Sequence, residues 1–271
     1  MQARTLPSMR GWSWIGDGFG IFRANPLMFS LLVLGYFLAA LLISSLPLLG
    51  PPLLAIILTL MNVGIMNACR GQARGVSPKL TTLFSAFQPL QQSSMRHLLL
   101  LGISYFLYSI FALELTSLLF GEALIVSRST ETSSAASQLN TLRINLPAIL
   151  CLSALMLPAI LAWWFAPVLV AWHGQSSGKA LFFSLIACVR NWRAFLLYAF
   201  SLFAWGILIP TTLISILQNA FPDAAQLVSA VALALLLPVL MPTLFASYYI
   251  SYRDIFERTD HAVHHGEATR I

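Results

Sequence analysis

Charge is what this sequence has least of: Asp, Glu, Lys and Arg together make up 9% of it, against roughly a quarter in an ordinary soluble domain. Apolar residues make up 58%, leaving too few polar side chains to cover a water-soluble body, so that class is set aside. Cysteine is also scarce. Cys69, Cys151 and Cys188 lie far apart in or beside apolar segments, with neither a CxxC pair nor zinc spacing, so they read as unpaired thiols in apolar surroundings. The chain has no Walker loop, dinucleotide glycine loop, nucleophile elbow, HExxH, carboxylate pair or arginine-rich voltage-sensor helix. Its nine acidic residues fall mostly in loops and the tail, which leaves little material for general acid-base catalysis. No enzyme activity, cofactor, metal or nucleic-acid partner is expected.

What the chain does have is long apolar runs. Six of them, Leu27–Leu46, Pro51–Ala68, Leu98–Phe120, Leu146–Ala171, Ala194–Ile216 and Ala225–Tyr248, approach or exceed the ~20 residues that cross about 30 Å of hydrocarbon at ~1.5 Å each. They are continuous and Leu-rich, not alternating, so they predict helices and not a barrel. Pro47, Gly50, Pro51 and Pro52 separate the first two with a tight turn. The first 26 residues show no apolar region with a cleavage site, so no removable signal peptide is expected. The fold class is all-α: a polytopic membrane protein with six transmembrane helices.

The basic residues orient it. Arg4, Arg10, Arg23, Arg70, Arg74, Lys79, Arg96, Lys179, Arg190, Arg193, Arg253, Arg258 and Arg270 fall on one side, and Arg128 and Arg143 on the other. Thirteen of the 15 on one side predicts both termini in the cytoplasm of a bacterial inner membrane. The opposite side carries one sizeable loop, Gly121–Asn145, whose tract SRSTETSSAASQLNT predicts flexibility.

A segment with an apolar stripe precedes each odd-numbered span: Trp12, Ile15, Phe19 and Phe22; then Leu80, Leu83, Phe84, Phe87 and Leu90; then Phe182, Leu185, Val189 and Trp192. Each reads as an interfacial helix. The even-numbered spans share a pattern as well. Gly64, Pro167 and Pro242 align, with Ala68, Ala171 and Ala246 four residues on, and Gly71, Gln72 and Gly75 match Gly174, Gln175 and Gly178. The expected organisation is one transmembrane domain over 1–253, built of three repeats of interfacial helix plus helix hairpin (about 10–75, 77–175 and 178–253), and a flexible cytoplasmic tail over 254–271.

Few side chains are candidates for chemistry. Glu114 is the one acidic residue inside a span; it lies about 24 Å from Leu98, which suits an interfacial or packing role, with substrate or proton handling as the sharper alternative. Asn62 and Asn67 serve either as interhelical hydrogen bonds or as a cavity lining. Pro158, Pro167, Pro238 and Pro242 free backbone carbonyls, which shape packing or line a pathway. Asn62, Asn67 and Glu114 are thus the candidate cavity or ligand-binding residues, and Lys79, Lys179, Arg190 and Arg193 the candidate headgroup contacts. Trp172 and Trp192 suit interface anchors, with Trp163 and Trp164 packing deeper. His261, His264 and His265 sit close together in the tail without an acidic or thiol partner.

The segments WIGDGFGIFRANPLMF, AWWFAPVLVAWHGQSSGKAL and SYYISYRDIF resemble a family of uncharacterised proteobacterial integral membrane proteins. More distantly, the chain looks like the membrane domain that precedes the catalytic domain of some glycerophosphodiester phosphodiesterases. The first resemblance implies an inner-membrane protein, and the second a membrane module that lends no reaction. The leading expectation is a non-enzymatic module that associates with lipids, anionic headgroups among them, or scaffolds another membrane protein. A small transporter or channel with a cavity between repeats is the alternative, and a lipid-acting enzyme a distant third.

Overall fold

The computed structural model describes residues 3–87, 92–121, 125–128 and 141–257. Its helices are α1 (Arg10–Ala24), α2 (Pro26–Ser44), α3 (Gly50–Ala73), a 3-10 segment (Leu80–Phe87), α4 (Gln92–Phe120), α5 (Leu146–His173), α6 (Ser177–Arg190), α7 (Trp192–Phe203), α8 (Ile209–Ala220) and α9 (Ala225–Phe256). A π-helical turn over Ala204–Leu208 joins α7 to α8 as one rod. Six rods are long and apolar enough to cross a membrane: α2, α3, α4, α5, α7 with α8, and α9.

Local chemistry sets the boundaries. Pro26 opens α2 and Pro51 opens α3, where a missing N–H costs nothing. Between them Leu48 takes a left-handed backbone, φ 62°, to reverse the chain. Asn145 caps α5 by accepting from the Ala148 N–H at 3.3 Å, and Gly174 ends it in the left-handed region, φ 59°. After α3 the left-handed residue is Gly75, which the sequence alignment pairs with Gly178 and not Gly174. These two helix ends therefore differ in backbone although their residues match.

The loop expected to be flexible contains paired strands. β1 (Ile125–Arg128) and β2 (Thr141–Ile144) run antiparallel, with Ile125 opposite Ile144, because apolar and β-branched residues flank the Ser/Thr tract. Residues 129–140 of that tract and the tail histidines lie outside the described residues.

α3 is the hub, packing against α2, α4, α5 and α9. Burial is concentrated toward the end of the bundle where both described chain ends meet. There Leu60–Cys69 of α3, Phe165–Val170 of α5 and Ala246–Ile255 of α9 supply most of the core. Toward the opposite end Leu146, Leu150, Leu227 and Leu235 are exposed, as lipid-facing side chains should be.

α1 departs from its expected stripe. Ile15 and Phe22 are buried, but Trp12 and Phe19 are exposed, and the most buried side chain of the helix is Trp14 at 0%. Glycine is the cause. A Cβ on Gly11 would lie 1.9 Å from the Ala194 carbonyl oxygen, and one on Gly18 2.6 Å from the Ser247 nitrogen. Seven residues apart, the two bring one face of α1 against the backbones of α7 and α9, and Trp14 drops between them. The segment before α4 is 3-10, not α; it buries Leu83 and Ala86 and exposes Leu80, Phe84 and Phe87, while Leu90 lies outside the described residues. α6 follows its stripe more closely. Phe182, Val189 and Trp192 are exposed and Leu185 is half-buried, while the small Ala180, Ser184, Ala187 and Cys188 turn inward.

The last helix also outruns its expected end. α9 continues to Phe256, beyond the polar boundary read at residue 254, because Asp254 is 10% exposed and engaged with α1.

Candidate functional site

The prolines of α9 stand four apart, so Pro242 cannot donate to the Pro238 carbonyl. The Ser30 hydroxyl of α2 donates to that carbonyl at 2.7 Å. α5 is altered in a similar way. The Ser184 hydroxyl donates to the Leu161 carbonyl at 2.8 Å and accepts from the Phe165 N–H at 2.9 Å, entering the turn just before Pro167. Tyr248 of α9 donates its hydroxyl to the Trp164 carbonyl in the same turn. The Pro238 carbonyl is thus an interhelical acceptor, and the Leu161 and Trp164 carbonyls also accept across helices.

Beside the opened turn lies a cavity of about 570 Å³, bounded by α2, α3, α4, α5, α7 and α9. Its walls are chiefly aromatic, including Tyr36, Tyr105, Trp164, Tyr198 and Tyr248. Two of these have engaged hydroxyls: Tyr198 pairs with Ser247 at 2.7 Å, and Tyr248 with the Trp164 carbonyl. Trp163, also in the wall, donates Nε1–H to the Leu101 carbonyl at 3.0 Å. Two buried polar atoms of the lining have no hydrogen-bond partner among the described residues, Oδ1 of Asn62 and Nε1 of Trp164. A buried group left so costs about 1 to 3 kcal/mol, so the pair marks a place where packing alone does not account for the residues. An apolar groove of about 400 Å³ between α5, α6 and α7 adjoins it, sharing Ile160, Trp164, Tyr198 and Leu202. Removing the Tyr198 hydroxyl with Tyr198→Phe should cost about 1 kcal/mol in thermal unfolding; no change would mean that the buried Ser247 pair contributes nothing.

A polar network closes the end that carries both described chain ends. Asp254 accepts from Arg10 Nε at 2.8 Å, Arg10 Nη2 at 2.5 Å and Trp14 Nε1 at 3.0 Å. Burial lowers the Arg10 pKa, but hydrogen bonding and charge from Asp254, with Asp17, outweigh it and leave a net rise, so the guanidinium stays charged. The backbone joins in: Arg4 N–H donates to the Ile255 carbonyl at 3.1 Å, and Asn191 bonds Leu6 N–H and the Arg4 carbonyl, both at 2.8 Å. Arg70 reaches Glu257 at 3.3 Å and lies 4.3 Å above the Trp172 ring.

The sequence candidates separate on this geometry. Asn62 lines the cavity. Asn67 instead links helices, donating to Ser85 at 2.8 Å and accepting from Trp172 Nε1 at 2.7 Å. Trp172 is thereby a connector within the bundle and not a lipid anchor, since its one polar atom is used inward. Glu114 is exposed on α4 and takes no part in the cavity, because its helical position turns it outward while Ala112 and Thr116 turn in. Lys79, Lys179, Arg190 and Arg193 are all exposed.

Against known proteins, the chain is 32% identical over 232 residues to a probable inner membrane protein of Burkholderia thailandensis, a match covering 84% of this chain and 85% of that one. The chain belongs to the family of that protein. No family model matches it, and no solved structure does. Membership together with six apolar rods makes this a multi-pass inner membrane protein. In this inner membrane protein the sequence places Trp164 only as a packing residue and gives no role to Tyr248 or Asp254. The quoted family-like segments contain all three, and the one cue in them was a carboxylate next to an aromatic-rich helix end.

Proposed function

We propose that this inner membrane protein is a non-enzymatic, lipid-associated module seated against anionic headgroups with both termini in the cytoplasm. The observation that carries the reading is α6 and its flank. Phe182, Ile186, Val189 and Trp192 are exposed there beside exposed Lys179, Arg190 and Arg193, which combines an apolar face for the acyl boundary with cations for phosphates. Lys79 extends the cationic set at the segment before α4. On this reading α1, the 3-10 segment and α6 are the leading parts of three similar units, each preceding a helix hairpin. The positive-inside distribution of basic residues supports the orientation. The likeness to a phosphodiesterase membrane domain enters only as a membrane module, with no reaction attached.

The test is lipid retention. Purified from a mixed bilayer, the protein should keep anionic lipid in preference to zwitterionic lipid, and the variant K179A/R190A/R193A should lose most of that preference. At about 1 kcal/mol per cation near the surface, removing three should weaken it roughly a hundredfold. Equal retention of both lipid classes by the unaltered protein would refute the headgroup reading. A transport role is the second reading and rests on the cavity at Asn62. It has lost the support of Glu114, and the Pro238 carbonyl is bonded to Ser30.

A further inference from the structure

The start of α4, the end of α5 and the start of α6 border a second cavity, of about 750 Å³. We propose that it binds one phosphate group, supplied by a lipid headgroup or by a soluble phosphate. The proposal deepens the headgroup reading by giving Lys179 a defined site, and it rests on that reading only where the phosphate belongs to a lipid. Its first support is a one-sided chemistry. The ionisable side chains of the lining are all basic, His97, His173 and Lys179, and no carboxylate joins them among the described residues. Lys179 is exposed and has no ion-pair partner among the described residues. The cavity therefore carries a cation that the protein itself does not compensate.

The second support is that each imidazole keeps a donor. A backbone N–H can only donate, and that of Ser177 meets His97 Nδ1 at 3.4 Å. Nδ1 is thus the acceptor nitrogen of His97, and the proton sits on Nε2. Tyr252 is fully buried, so its O–H needs an acceptor, and it meets His173 Nε2 at 2.7 Å. That leaves the His173 proton on Nδ1. Neither of these two N–H groups has a partner among the described residues. They also belong to side chains within reach of a ligand, since His173 is exposed and His97 half-buried. An ammonium and two ring N–H groups from three helices suit a ligand that is negative and rich in acceptor oxygens, which is what a phosphate is. A second cation would meet Lys179 as a like charge, and a neutral hydroxyl or amide would leave that charge uncompensated.

Access is the third support. Phe182 lies in the lining, is exposed, and shares the apolar face of α6 with Ile186 and Val189. One wall of the cavity therefore continues into the surface that acyl chains of a bound lipid would follow. Gly178 keeps the opposite approach clear. It is exposed in the lining, and a Cβ there would meet nothing within 4 Å, so a side chain added at this position has room beside Lys179 without displacing any packed atom.

The experiment uses the full chain in phosphatidylcholine nanodiscs doped with phosphatidylglycerol. Native mass spectrometry should find one phosphatidylglycerol per chain retained after the other lipid is stripped. A second arm titrates inorganic phosphate onto the chain in phosphatidylcholine alone. Lipid retention without saturable phosphate binding assigns the site to a headgroup, saturable binding of one phosphate without lipid retention assigns it to a soluble ligand, and both together mean one site open to either. Gly178→Glu and Lys179→Met should each weaken the observed binding about tenfold or more, the effect of opposing or deleting a charged contact. His97→Asn keeps an acceptor oxygen for the Ser177 N–H but removes Nε2–H, and should weaken it about tenfold. Gly178→Glu should unfold at the same or a higher temperature than the unaltered chain, because glutamate replaces glycine in the first turn of α6, so its lost binding is not lost folding. R190A/R193A leaves the cavity intact. It should keep the strip-resistant phosphate while lowering the general preference for anionic lipid, so this site and the headgroup reading fail separately. The assignment is overturned if neither arm gives one phosphate per chain, or if binding survives both Gly178→Glu and Lys179→Met.

Discussion

Asp254→Ala should be among the most destabilising single substitutions in the protein, at about 3 kcal/mol in thermal unfolding of the detergent-solubilised chain. The carboxylate is 10% exposed on its side chain and receives two hydrogen bonds from Arg10 and one from Trp14. Truncation leaves a guanidinium and a buried indole N–H without that partner. Removing one member of a fully buried pair costs about 3 to 5 kcal/mol. The lower end applies because the Arg10 side chain is 35% exposed and recovers some hydration. A double-mutant cycle with Arg10→Ala should return a coupling on the order of 2 kcal/mol. Arg253→Ala, whose contact to Asp254 is 3.4 Å, should show much less. Similar losses for Arg10→Ala and Arg253→Ala would mean that the network contributes only diffuse charge and does not clamp α1 to α9.

The second large effect is expected at Gly64→Val. A Cβ there would lie 2.1 Å from the Leu83 carbonyl oxygen and 2.6 Å from its carbon, both backbone atoms that no side-chain rotation can move away. Overpacking typically costs about 1 to 3 kcal/mol, and this case belongs at or above the upper value because the whole 3-10 segment must lift from α3. Hydrogen exchange over Leu80–Phe87 should rise along with the loss in stability. Unchanged exchange would show that the segment gains nothing from docking at Gly64.

The same residue shows where reading the sequence ended. In the sequence Gly64 aligns with Pro167 and Pro242, but its observed role is to admit a neighbouring backbone. A glycine reads alike for either purpose until its neighbour is known. The six spans were legible because about 30 Å of hydrocarbon imposes a length and a polarity on each, and all six appear. α1 was only half legible: its buried face is set by Gly11 and Gly18, which add nothing to an apolar stripe. Asp254 was hidden for another reason. It stands in a polar stretch that reads as frayed tail, and its partner is 244 residues distant. Trp163 and Trp164 are adjacent and chemically identical, and only the helix packing shows which indole donates to Leu101 and which does not. Glu114 drew attention by its charge, yet two residues either side of it, Ala112 and Thr116, face inward.

The clamp between Arg10 and Asp254 also bears on how the protein is made. Ribosomes add about 5 to 20 residues per second, so the 244-residue separation puts the carboxylate on the nascent chain about 12 to 50 s after its guanidinium partner. Throughout that interval Trp14 has no acceptor at Asp254 and Gly18 no Ser247 to pack against. Assembly thus finishes at a late, defined moment of synthesis. A chain that stalls before α9 leaves Trp14 without its Asp254 acceptor and the Gly18 face of α1 without the α9 backbone.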